Sequence, residues 1–230
     1  MLEKLKQQVC AANLRLAAEG LVFQSWGNVS GVDRARGVLV IKASGVPYAG
    51  MAPEHMVTVS LETGRTVDGK LRPSSDMPTH LELYRAWPAL GGVAHTHSLF
   101  ATAFAQALKP IPPLGTTHAD FCPVEIPVTR RLTPDEIAGP YEINTGKVIV
   151  ERFAGLDPLT VPAVLVAEHG PFAWGKSPEA AVTAASVLER IAWIATLTFR
   201  LDPAVQPIQK PLLDRHYQRK HGPNAYYGQE

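Results

Sequence analysis

The sequence predicts helices layered on one sheet, an α/β or α+β fold, and three observations carry that expectation. Residues 2–16 and 178–200 are patterned and long enough for helices. Between them lie β-branched runs such as Val38-Leu39-Val40-Ile41, Met56-Val57-Thr58-Val59 and residues 161–166, each bounded by turn residues. No linker, low-complexity tract or internal repeat interrupts the 230 residues, so one domain with a substantial core is expected.

Leu2, Leu5, Val9, Ala12 and Leu16 share one helical face, and Gly20 stops that helix. Strands are expected over 26–30 and 38–42, with the polar residues 31–37 turning the chain, and again over 56–60. Early antiparallel pairing follows from these short connections. Ser75 or Asp76 can cap the next helix, since Pro78 is tolerated in a first turn, and Pro88 ends it. A strand over 91–97 leads to Ser98, a candidate cap for a helix over 99–108. Residues 115–120 read as a loop, 124–128 as a short strand, and Thr133-Pro134-Asp135-Glu136 as a helix start. The run 161–166 ends at Glu168-His169-Gly170-Pro171, after which Phe172 and Trp174 continue the alternation. Ser177-Pro178 opens the long helix. Residues 201–211 hold three prolines and should be extended, and 212–220 form a short basic helix.

Composition narrows the function. Net charge is +1, which gives no electrostatic case for nucleic acid or an anionic membrane. Mean hydropathy is −0.01, and no apolar run is expected to span a bilayer. Cys10 and Cys122 are too few for a disulfide framework, so a reducing cytoplasm is the simplest expectation. Cys10 falls on the apolar face of the first helix and reads as a small core residue.

Three groups of residues carry chemistry. His95 and His97 are two apart on a strand and so project together, half of a divalent-metal site. The same spacing also fits two hydrogen-bonded, half-buried histidines. His169 and Asp76 are further metal-type residues, and three imidazoles with an open position match catalytic rather than structural zinc. The second group is Gly27-Asn28, Lys42, Ser44-Gly45 and Ser74-Ser75. Glycine backbone, hydroxyls and a helix N-terminus can cradle phosphate, although each piece is also an ordinary turn or cap. The third is Asp120, either a general base or a solvated loop carboxylate, with Tyr226 and Tyr227 as packing residues or proton donors. His55, His80 and His221 read as surface or hydrogen-bonding groups, and His118 as a group that positions its loop.

Taken jointly, several motifs are far more specific. Ser25-Trp26-Gly27-Asn28-Val29-Ser30, Ile41-Lys42-Ala43-Ser44-Gly45-Val46, Pro73-Ser74-Ser75-Asp76 and His95-Thr96-His97-Ser98 occur in this order. They continue with Gly115-Thr116-Thr117-His118-Ala119-Asp120, His169-Gly170-Pro171-Phe172-Ala173-Trp174-Gly175 and Ala225-Tyr226-Tyr227-Gly228-Gln229. Over essentially its whole length the chain resembles the class II aldolase/adducin family, in particular its bacterial sugar-phosphate 4-epimerases. Ala43 departs from the proline expected there, which leaves the Ser44-Gly45 backbone in place.

The resemblance implies a three-layer α/β/α domain over residues 1–230, with a central, mainly antiparallel sheet. It implies a cyclic homotetramer with active sites between subunits, the tail from about residue 203 contributing to an interface. One Zn2+ per subunit would be held by His95, His97 and His169 with Asp76, with Mn2+ or Co2+ as possible substitutes. Gly27, Asn28, Lys42, Ser44, Gly45, Ser74 and Ser75 would bind the phosphate. Asp120 and a neighbouring subunit's Tyr227 would be the two acid/base groups, supported by Thr116 and His216. The implied reaction interconverts L-ribulose 5-phosphate and D-xylulose 5-phosphate by cleaving and re-forming C3–C4. Arabinose and ascorbate breakdown both remain open as sources of that substrate. The rival within the family is an L-fuculose-1-phosphate-type aldolase, which would more typically carry Glu where this chain has Asp76. The rival outside enzymology is an adducin-like structural domain, which would have no need of three histidines around an open metal site.

Overall fold

The computed structural model describes residues 2–227, so Gly228 and Gln229 of the terminal motif lie outside the described residues. Its centre is a seven-stranded sheet. The strands are β1 (Asn28–Asp33), β2 (Val38–Lys42), β3 (Met56–Ser60), β4 (Thr66–Asp68), β5 (Gly92–His95), β6 (Ala163–Val166) and β7 (Gly170–Gly175). They lie in the order β4-β3-β2-β1-β5-β7-β6, and every neighbouring pair is antiparallel. The helices are α1 (Leu2–Ala18), α2 (Met77–Ala86), α3 (Leu99–Gln106), α4 (Thr116–Ala119), α5 (Pro134–Ala138), α6 (Tyr141–Arg152), α7 (Pro178–Leu201) and α8 (Lys210–His221).

Two layers of helix cover the sheet. On one face α1 packs on β1 and β2, α7 on β5 and β7, and α3 against α7. Leu5, Val9 and Cys10 of α1 share a buried cluster there with Val40 and Met56, which confirms Cys10 as a core residue. On the other face α2 and α6 pack together. The ring of Trp87, at the end of α2, lies 4.9 Å from Trp174 of β7, and that of Phe153, at the end of α6, lies 5.1 Å from it. Arg34, in the β1–β2 turn, donates to the carbonyls of Tyr84, Trp87 and Leu90, which fixes the end of α2 against that turn.

Several expectations need correction. β1 starts at Asn28 and runs through Asp33, because Ser30 to Asp33 pair with Ile41 to Val38 before the chain turns. β4 carries three exposed residues at the sheet's edge and has no apolar alternation to announce it. Residues 124–128 make no strand. Ile126 and Val128 form single bridges to Ile111 and Leu165, and Pro127 breaks the run of donors. Residues 115–120 hold the helical turn α4 with Gly115 at its cap. α7 is 24 residues long and contains an 18-residue stretch with a mean hydropathy of 1.4, long and apolar enough by length and composition to cross a membrane. Its apolar face instead meets the sheet, with Ala181, Val182, Ala185, Leu188 and Ala192 buried.

Candidate metal and phosphate site

Sheet register places the first group of residues. Asn28 of β1 stands opposite His95 of β5, and His95 stands opposite Phe172 of β7. Residues opposite one another in a ladder share a face, so these three side chains form a row across the sheet's end. The ring of His95 stacks on Phe172 at 4.2 Å. β5 stops at His95, so His97 lies just beyond the strand rather than on it. The two rings still come together, 4.9 Å apart. His169 enters from the hairpin between β6 and β7, its ring 4.7 Å from His95 and 5.1 Å from His97. The preceding Glu168 has φ 61°, a left-handed conformation rare for a non-glycine residue and one that turns the hairpin at the site.

The three imidazoles fit a divalent cation. One ligand nitrogen from each lies within 4.8 Å of the others. His95 Nε2 and His97 Nε2 are 3.1 Å apart. Nitrogens on a tetrahedral ion with bonds of about 2.0–2.1 Å stand about 3.3 Å apart. His95 Nδ1 donates to the Pro171 carbonyl at 3.0 Å, which leaves Nε2 its lone pair. Burial, assisted by its histidine neighbours, pushes His169 down to about 3. Burial also lowers His97. Both rings are therefore neutral donors at ordinary pH.

Asp76 occupies the cap position of α2, but its side chain makes no cap hydrogen bond. Its Oδ2 instead accepts from Asn28 Nδ2 at 2.6 Å. Burial pushes this carboxyl up, but His95, His80 and the Asn28 hydrogen bond outweigh it and hold it below its usual range. Ser98 likewise sits at the start of α3 without capping it. Glu189 of α7 does so, accepting from the amides of Phe100 and Ala101 at 2.8 and 2.9 Å. That carboxylate fixes the helix start just beyond His97.

A cavity of about 490 Å³ opens beside the histidines. Its wall contains His97, His169 and Asp76, together with Gly27, Asn28, Lys42, Ser44, Gly45, Ser74 and Ser75. Lys42 is 2% exposed, and its ammonium donates to the carbonyls of Ser25 and Ala43, at 3.2 and 3.4 Å, and stands over the Tyr48 ring, 5.2 Å from its centroid. Burial lowers its pKa, partly opposed by Asp76. A buried cation facing a cavity without a carboxylate bonded to it is suited to an anionic ligand. Gly27 has φ 78°, and a Cβ there would stand 2.9 Å from the His95 carbonyl, so only glycine allows this approach.

The second predicted group lies apart from that wall. Asp120 follows α4 and is held by α8: His216 Nδ1 is 3.0 Å away and Arg219 donates at 2.8–3.2 Å. Burial alone would raise Asp120, but the hydrogen bonds from Arg219 and His216 hold it below the usual carboxylate range. Thr116 opens α4, and its carbonyl accepts from the Asp120 amide. The Tyr227 ring is 4.7 Å from the Arg219 guanidinium and 4.4 Å from Lys220 Nζ. Asp120, Thr116, His216 and Tyr227 thus gather with one another and not on the cavity wall. His118 Nε2 donates to the Val124 carbonyl of its own loop at 2.7 Å, as expected of a group that positions it. His80 is fully buried against Ser30, and Tyr226 is exposed.

Four residues around the two groups were missed in the sequence: Tyr141 and Glu142 on the cavity wall, and Arg219 and Lys220 around Asp120. Pro140 before a helical run was a legible signal for the start of α6. Nothing local marks which α8 cation meets Asp120.

An antiparallel sheet carrying three imidazoles and a lysine-lined cavity at one end defines a class of protein, and the sequence agrees. Residues 7–196 match the family model described as Class II Aldolase and Adducin N-terminal domain, so the chain belongs to that family. The chain is 53% identical to "L-ribulose-5-phosphate 4-epimerase UlaF" of Salmonella paratyphi B (strain ATCC BAA-1250 / SPB7) over 229 residues, covering all of both chains. It is 52% identical to the protein of that name from Salmonella typhi, with the same coverage. Among solved structures, an L-fuculose 1-phosphate aldolase shares the fold with a TM-score of 0.78, at 22% identity, over 94% of this chain and 95% of that one. YgbL from Klebsiella pneumoniae, titled a putative aldolase/epimerase/decarboxylase, gives 0.71 at 25% identity, over 92% and 97%.

Proposed function

We propose that this chain interconverts L-ribulose 5-phosphate and D-xylulose 5-phosphate, the activity named for relatives 53% identical to it over their full length. The observation that carries the chemistry is the convergence of three imidazoles, two of them on the wall of a cavity that also contains a buried lysine. The proton on C4 is not alpha to the C2 ketone, so direct deprotonation there would give an unstabilised carbanion. Cleaving C3–C4 avoids it. Zn2+ held by His95, His97 and His169 with Asp76, or Mn2+ or Co2+ in its place, would supply Lewis-acid stabilisation of the charge left on the ketose fragment.

The chain's own groups do the rest. Gly27, Asn28, Lys42, Ser44, Gly45, Ser74 and Ser75 hold the phosphate, and with it the aldehyde fragment, while its carbonyl presents the opposite face. The C4 oxygen points in opposite directions in the two epimers, so one group cannot serve both. Asp120 serves one face and Tyr227 the other, with Thr116 and His216 in support. Neither Asp120 nor Tyr227 lies on the cavity wall of its own chain, and a homotetramer with active sites between subunits, in which Tyr227 reaches in from a neighbour, would complete the site. The compartment that fits this reaction is the cytoplasm.

A coupled assay for D-xylulose 5-phosphate formed from L-ribulose 5-phosphate tests the reading, run before chelation, after it and after zinc restoration. Epimerisation lost on chelation and regained with zinc is the expected result. Accumulation of the cleaved fragments would replace the epimerase with an aldolase. Neither product from folded, zinc-loaded protein would overturn both.

A further inference from the structure

The outer nitrogens of the metal-type histidines are not held alike. His95 Nδ1 is fixed by a backbone acceptor, the Pro171 carbonyl. His169 Nδ1 is met by a side chain, the Tyr141 hydroxyl, at 3.4 Å, with the two rings 6.3 Å apart. Tyr141 is the first residue of α6 and stands on the cavity wall. No sequence motif singled it out.

Its place is fixed by packing rather than by the site. α6 lies along α2, the helix that carries Asp76 at its start. Thr79 Oγ1 of α2 donates to the Glu142 carbonyl at 2.7 Å, next to Tyr141. One turn further along α6, Gly146 lets the helices close, since a Cβ there would stand 2.6 Å from Glu82 Cβ. The start of α6 is therefore pinned to the start of α2, and the phenol is carried to His169 by a rigid contact.

We propose that Tyr141 is a positioning residue of the metal centre: its hydroxyl accepts the N–H of His169 Nδ1 and so turns Nε2 toward the cation. The proposal rests on the reading that His95, His97 and His169 bind a divalent metal. A ligating histidine needs its second nitrogen held, because that hydrogen bond sets both the tautomer and the ring's rotation. Carbonyl and phenol do this job for different rings of one site. The backbone partner of His95 cannot be substituted away, whereas the partner of His169 can.

The test uses the full chain, freed of metal by chelation, with and without Tyr141→Phe, which keeps the ring and removes the oxygen. Each protein is titrated with Co2+ while its visible absorption is followed, and with Zn2+ against a competing chelator. Unsubstituted protein should bind one ion per chain. The variant should bind about 10–100-fold more weakly, as is typical when an outer partner of a ligand is removed. Its Co2+ spectrum should change and its metal-free melting temperature should not. Equal affinity with an identical spectrum overturns the proposal. So does weaker binding accompanied by a lower metal-free melting temperature, which would make the hydroxyl merely structural. Failure of the unsubstituted protein to bind either ion overturns the metal reading beneath it.

Discussion

Two regions of this molecule collect ionisable groups, and they are built differently. The histidine region is set by the sheet. Asn28, His95 and Phe172 are neighbours because β1, β5 and β7 pair in one register, and a single-residue slip of any one strand would send its member to the opposite face. Asn28, Lys42 and His95 are nearly inaccessible, while His169 is half-buried and His97 is exposed at the cavity. The Asp120 region is set by α8, whose one buried residue is Leu213, and by ion pairs among side chains that solvent reaches. A ladder of backbone hydrogen bonds fixes the first region whatever the salt or the neighbour. The second is fixed by ion pairs, the Leu213 anchor and isolated hydrogen bonds such as that of His221 Nε2 to the Asp120 carbonyl, with no strand ladder behind them. The difference suits their proposed roles, one a rigid seat for metal and phosphate, the other a set of proton-transfer groups completed by assembly.

Breaking each region separately tests this division. The largest effect is expected from His97→Asn. It should abolish stoichiometric metal and lower epimerisation by about 10³-fold or more, the loss of several kcal/mol of charge stabilisation. Elemental analysis beside the coupled assay checks it, and a metal-free variant of full activity would refute the site. Next come Asp120→Asn and Tyr227→Phe, each expected to reduce epimerisation by about 10²–10⁴-fold. Metal content should stay unchanged, because neither side chain borders the histidines. Loss of metal in either variant would merge the two regions, and near-normal rates would remove these residues from the proton transfers.

The smallest effect is on stability. Burial pushes His80 down to about 3, well below the usual imidazole value of about 6.5, so the folded protein keeps it neutral where the unfolded chain takes up a proton. Stability is full above the unfolded value and falls as pH drops from 6.5 toward 3, since the unfolded chain binds the extra proton there. In metal-free protein, urea unfolding between about pH 7 and pH 4 should show His80→Gln with a shallower acid loss, by at most about 1.4 kcal/mol per pH unit. An unchanged slope would mean that His80 does not supply this sensitivity.

Local signals were read well wherever a residue acts on its own neighbours. Thr133 forms the capping box with Glu136, and Ser177 accepts from the Ala180 amide at the start of α7. The helix beginning near Asp76 was also legible, but not that its carboxylate would leave the cap for Asn28, 48 residues earlier. Ser98 fails as a side-chain cap because Glu189, 91 residues later, takes the amides of α3. Residues 124–128 have the composition of a strand, but Ile126 and Val128 bridge two different segments, so no continuous ladder forms.

The sequence by itself determined which groups this protein has to work with: three histidines, a lysine in a candidate phosphate cradle, a Ser-Ser-Asp helix entry and an aspartate before a tyrosine-bearing tail. These were legible because each sits in a short stretch whose residue types are fixed by local geometry. Only the tertiary structure decided which groups meet. His95 and His169 are 74 positions apart and Asp120 and Arg219 are 99 apart, and each pair is joined by strand register or helix docking. Those contacts depend on long-range burial and pairing, and a period of 2 or 3.6 residues carries no record of them.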